Sequence, residues 1–160
     1  NAELKVLNGC GERWVPVKDS YLGLGKSALA GQLVAAIRFI PLNNRQGSSF
    51  KRIARRESLA LPILNAAVVV QIEQEKFEWA RIYAAPVGPA PMKMNQAENF
   101  LKGKPVQDTV IKQAAEMVGQ QAEPRNSLFR GTREYRKDII CSLVEEALQE
   151  ASQEVLSKGR

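Results

Sequence analysis

From Leu64 the chain alternates, with Ala66, Val68, Val70 and Ile72 falling on one face of an extended strand. A period of two excludes a helix here, and a strand so patterned must find partners that share its buried face. Glu73-Gln74-Glu75 supplies the turn, and Lys76 to Ala84 the returning strand of a hairpin. That strand carries Phe77, Trp79 and Tyr83 on one face and Ala80, Ile82 and Ala84 on the other. Trp79 and Tyr83 are expected to pack in the core, as aromatics at alternate strand positions mostly do. Pro86, Gly88, Pro89 and Pro91 interrupt the strand, and Met92 to Met94 is a short extended piece.

Helices follow the strands. Asn95 with Glu98 three residues later predicts a capping box, and Gly103 with Pro105 ends that helix within about two turns. Val110, Ile111, Ala114, Ala115 and Val118 form the apolar stripe of a second helix. A long third helix starts near Thr132 and buries Ile139, Ile140, Leu143, Val144, Ala147, Leu148, Ala151 and Val155. Strands followed by helices, rather than alternating with them, predict an α+β fold: an antiparallel sheet of three to four strands, covered on one side by about three helices.

The first third of the chain reads differently. Leu4 to Leu7 is a short strand stopped by Asn8-Gly9, Arg13 to Val17 a second one, and Leu33 to Ile40 a third, ended by Pro41 and the polar loop Asn43 to Ser49. A domain boundary is placed there, giving residues 1–48 and 49–160. Asn1-Ala2 resembles the scar of a cleaved tag, so a missing N-terminal region is expected.

Composition narrows the function. Hydrophobic residues make up 44% and charged residues 25%, as in ordinary globular domains. No apolar run approaches the roughly 18 residues of a membrane span. There is no histidine, which removes the commonest general base and metal ligand, and Cys10 and Cys141 lie too far apart in sequence to suggest a metal motif. No catalytic or metal-binding residue is assigned. The formal charge of +6 is concentrated in Arg45, Lys51, Arg52, Arg55 and Arg56.

Individual motifs are weak. Gly23-Leu24-Gly25-Lys26-Ser27 suggests a phosphate loop, but Ser20 stands where glycine is needed, so a structural turn is favoured. The run Phe50 to Arg56 has one aromatic among its cations, which speaks against nucleic acid. Glu145, Glu146, Glu150 and Glu154 read as a solvated helix face.

Three stretches together resemble the flavin-carrying medium subunit of molybdenum hydroxylases, the xanthine dehydrogenase and carbon monoxide dehydrogenase family. They are Gly9 to Val17 continuing through Gly25-Lys26-Ser27-Ala28-Leu29 to Ile40; Phe50-Lys51-Arg52 with Arg55-Arg56; and Ala80-Arg81-Ile82-Tyr83, Gly88 to Pro91, Glu98, Leu101 and Gly103, closing on Arg130-Gly131-Thr132-Arg133-Glu134-Tyr135-Arg136. The resemblance implies that residues 1–48 are the end of an FAD-binding domain and 49–160 the C-terminal domain. It implies an oxidoreductase that passes electrons from iron–sulfur clusters through FAD to NAD or another acceptor, with this chain alone inactive and not retaining FAD. Lys51 and Val34 match positions beside the flavin, and the Arg130 to Arg136 stretch ties the last helix to the sheet. Leu128-Phe129 departs from the family, where an acidic residue is common. A molybdopterin-carrying large subunit and an iron–sulfur small subunit are the implied partners, in the cytoplasm. The alternative is a basic protein- or nucleic-acid-interaction module without catalysis.

Overall fold

The computed structural model describes residues 2–23, 25–88 and 90–158. The expectations touching Asn1, Leu24 and Pro89 therefore lie outside the described residues. The chain divides into two compact units, Asn1–Pro41 and Leu42–Arg160.

In the first unit, β1 (Ala2–Asn8) pairs antiparallel with β2 (Gly11–Pro16) on one side and β5 (Leu33–Phe39) on the other. Between them, β3 (Tyr21–Gly23) and β4 (Lys26–Ser27) form a separate small hairpin, Tyr21 facing Ser27. Val6, Val15 and Leu29 make a small core, with Leu4 packed against it. β5 is an edge strand and is exposed along its whole length.

In the second unit, β6 (Gln46–Ala54), β7 (Pro62–Glu73), β8 (Lys76–Ala85) and β9 (Met92–Lys93) form an antiparallel sheet in sequence order. Three helices, α1 (Asn95–Leu101), α2 (Asp108–Gln121) and α3 (Arg133–Lys158), follow. Leu64, Ala66, Val68, Val70 and Ile72 of β7 are buried, as the alternation requires, beneath the apolar stripe of α3. This is the expected α+β architecture. On α3 every predicted core residue is buried except Ile139, which is partly covered. α2 and α3 cross closely at Gly119, where an added Cβ would lie 2.3 Å from Cys141 Sγ.

Two local expectations fail, each for a visible reason. The register of β7 against β8 shifts between Gln71 and Ile72, which face Trp79 and Phe77. The extra residue at Glu78 turns Phe77 onto the face of Ala80, Ile82 and Ala84, where all four are buried. Trp79 and Tyr83 are left on the opposite face, outside the core; Tyr83 is exposed and Arg81 stacks over the Trp79 ring. The capping box does not form either, since α1 has no side-chain cap. Glu98 instead accepts the Ile82 backbone N–H at 2.9 Å and pairs with Lys93 at 3.2 Å. Its carboxylate satisfies a β8 donor next to the two-residue strand β9.

The strand that the sequence hides is β6. Its inward positions are Gly47, Ser49, Lys51 and Ile53, which are buried or half-buried, while Ser48, Phe50 and Arg52 face out. An inward face of glycine, serine and lysine carries no apolar alternation, so the stretch reads as polar loop and basic segment.

Candidate functional site

Lys51 stands at the centre of β6, paired with Ala66 of β7. Its Nζ lies 2.7 Å from Glu150 Oε2 on α3, and Ser49 Oγ donates to the same oxygen at 2.7 Å. One turn further, Glu154 accepts the Ser48 backbone N–H at 2.9 Å and binds Lys158 at 2.6 Å. Two carboxylates of α3 thus grip the strand through both side chain and backbone. Glu150 and Glu154 are not merely the solvated face that their spacing suggests. Nothing in the sequence marks this, because the glutamates and the serines they bind lie about a hundred residues apart.

The electrostatics follow the geometry. Hydrogen bonding to Glu150 raises the Lys51 pKa and outweighs the opposing desolvation, and the charges of Glu150 and Glu146 add to it. Hydrogen bonds from Lys51 and then Ser49 depress the Glu150 pKa. Lys158, followed by the Ser48 N–H, depresses that of Glu154. Lys51 is therefore a fixed ammonium at neutral pH. Glu150 occupies one of its three N–H donors, and its side chain is 31% exposed, so it can still meet an acceptor on a ligand.

Val34 lies on β5 opposite Val6, its side chain exposed. It offers an open apolar surface and belongs to a different compact unit from Lys51. Gly23 and Ser27 lie on the short β3–β4 hairpin, a turn and not the loop between a buried strand and a helix that cradles phosphates.

The Arg130 to Arg136 stretch works through its last residue. Arg136 is buried and donates to Arg125 O at 2.7 Å and to Pro86 O. Burial lowers its pKa, with the Arg130 charge as a lesser cause. Thr132 Oγ1 accepts the Tyr135 N–H at 3.2 Å, capping α3. The guanidinium thus ties the start of α3 to the chain leaving β8 and to the α2–α3 connection.

An antiparallel sheet with one helical layer, tied together by Arg136 and Glu150, defines the class as an α+β domain. Residues 48–151 match the model of the CO dehydrogenase flavoprotein C-terminal domain. The chain is 24% identical over 153 residues to the xanthine dehydrogenase FAD-binding subunit of Escherichia coli, covering 94% of this chain and 52% of that protein. Among solved structures it resembles carbon monoxide dehydrogenase from Hydrogenophaga pseudoflava, with TM-score 0.86 and 23% identity over 96% of this chain and 53% of the other. It also resembles quinoline 2-oxidoreductase from Pseudomonas putida, with TM-score 0.84 and 25% identity over 95% of this chain and 52% of the other. The chain belongs to the CO dehydrogenase flavoprotein C-terminal domain family, and represents the C-terminal portion of the FAD-binding subunit of molybdenum hydroxylases. It spans about half the length of the curated FAD-binding subunits it matches. Among the described residues no helix is long and apolar enough to cross a membrane.

Proposed function

We propose that the chain is part of a subunit that carries electrons from iron–sulfur clusters through FAD to NAD or another acceptor. The observation that carries this reading is the family match over residues 48–151. FAD, when bound, supplies the ability to take electrons in pairs and release them singly. In this reading residues up to 48 are the end of the FAD-binding domain, and 49–160 the C-terminal domain.

Each taken within its own unit, the two residues proposed here would suit the flank of such a cofactor and not its whole surface. Lys51 would present a fixed cation with donors to spare to an acceptor edge or phosphate, and Val34 an apolar wall to a ring. Glu150 would hold the Lys51 ammonium in place and charged. Binding by two side chains is far too little to immobilise a dinucleotide, so the chain alone would neither retain FAD nor catalyse. Its partners would be a molybdopterin-carrying large subunit and an iron–sulfur small subunit, in the cytoplasm, a compartment that suits the exposed free thiol of Cys10.

The test is visible absorbance after gel filtration with FAD, for this chain and for a longer subunit that includes the preceding half. A yellow long form beside a colourless short one supports the reading. If neither holds FAD, the flavin role falls and the interaction-module reading takes its place.

A further inference from the structure

Asn8 is the one asparagine of the chain that is followed by glycine, and the fold places that pair at the tip of a hairpin. The β1–β2 ladder closes at the Asn8–Gly11 pair, which leaves Gly9 and Cys10 as a turn outside it. No ladder bond therefore occupies the Gly9 N–H. Asn8, Gly9 and Cys10 are all exposed, so water reaches the turn. Within it the Cys10 N–H donates to Asn8 Oδ1 at 2.9 Å. The ring closed by that bond runs from the Asn8 side chain through the Gly9 peptide to the Cys10 nitrogen, the arrangement of an Asx turn. It folds the Asn8 carboxamide back over the peptide that follows, keeping Cγ on the side of the Gly9 nitrogen. The Cys10 N–H also polarises the carbonyl and stands where negative charge on Oδ1 would develop. A carbonyl carbon held against a nitrogen in this way is set for ring closure.

Glycine at position 9 permits the step. A side chain there would crowd the nitrogen as it turns toward Cγ, and glycine has none. Two other asparagines separate the contributions of turn and neighbour. Asn43 Oδ1 accepts the Arg45 N–H at 2.9 Å in the same kind of turn, but Asn44 follows it and sets a Cβ beside the attacking nitrogen. Asn126 precedes the small Ser127, but its Oδ1 accepts the Arg133 N–H at 2.7 Å. That bond draws the carboxamide toward the start of α3 and away from its own next peptide. At Asn8 alone among these the turn and the unhindered nitrogen coincide.

We propose that Asn8 is a site of spontaneous covalent modification, in which the Gly9 nitrogen attacks the Asn8 carboxamide and water completes the reaction. The Gly9 nitrogen gives up its proton to solvent and bonds to Cγ. The Cγ–Nδ2 bond breaks, and the departing nitrogen takes a proton from solvent to leave as ammonia. Water opens the resulting succinimide at either carbonyl, to aspartate or to isoaspartate. Nothing is oxidised or reduced, and the chemistry is independent of flavin binding. Either product lowers the formal charge of +6 by one. In isoaspartate the backbone passes through the former side chain, which lengthens β1 at its last ladder pair and removes the acceptor of the Cys10 N–H. The test is to incubate the whole chain at neutral pH and follow Asn8, Asn43 and Asn126 by peptide mass spectrometry, with aspartyl and isoaspartyl products separated. Asn8 should be converted first, and to both products. Gly9→Ala should slow the conversion about tenfold or more. An added Cβ there meets nothing within 4 Å, so the variant should unfold thermally as the wild type does. Conversion of Asn43 or Asn126 as fast as Asn8 would overturn the proposal. So would a Gly9→Ala rate equal to the wild type's, or aspartate as the sole product, which is direct hydrolysis without a ring. Conversion of Asn8 only in urea would show that the hairpin shields it, and would overturn the proposal as well.

Discussion

Gly47 and Arg136 show how much of this domain rests on single residues. At Gly47 the edge strand runs so close to α3 that a Cβ would lie 2.0 Å from the Ala151 carbonyl oxygen and 2.9 Å from Val155 Cγ2. The obstacle is backbone, so the strand and not a side chain must move. Gly47→Ala should destabilise the second unit by about 2 kcal/mol, read as a lower urea midpoint at unchanged slope. Arg136→Met removes the donor to two carbonyls and fills similar space, and should cost about 3 kcal/mol in the same assay. If Arg136→Met melts like the wild type, the clamp is not structural. The sequence marks the two unequally. Arg136 belongs to the stretch on which the family resemblance rests, whereas Gly47 sits in what reads as a polar loop, because close approach is a property of the partner and not of the glycine.

At the scale of elements, β6 is held to α3 by charge as well as by packing, and the pKa directions give the pH range. Glu150 and Glu154 are depressed, so their contribution is present above the ordinary carboxylate range and is lost as pH falls through the lower folded values. Lys51 is raised, so its contribution is present below the ordinary lysine range and is lost only as pH rises through a still higher value. The lock therefore spans the neutral range and opens first on the acid side. Protection of the β6 amides, taken relative to the intrinsic exchange rate, should fall at pH below the ordinary carboxylate range before that of β7, and Glu150→Gln should bring the fall to neutral pH. A uniform fall in both strands would show that β6 is not held separately. β7, β8, α2 and α3 were all legible, because each carries a period of its own. β6 was not, since its inward face is glycine, serine and lysine; nor was the bulge at Glu78 that puts Phe77 and Trp79 on opposite faces.

For the whole molecule, the exposed β5 edge carries Leu33, Val34, Ile37 and Phe39 in the open, with no strand on its outer side among the described residues. Such an edge invites pairing with another chain. The chain by itself should self-associate at high concentration, and Ile37→Lys should suppress this in sedimentation velocity; a monodisperse wild-type chain would refute it. The sequence by itself determined the α+β class, the sheet-then-helix order, the apolar faces of β7 and α3, and the family, because periodicity and local motifs are written in consecutive residues. Only the tertiary structure decided that Lys51 is engaged by Glu150 and that Glu98 completes the β8 ladder. Those contacts join residues 16 to 99 positions apart, and pairing across such distances is fixed by how whole elements pack and not by any local pattern.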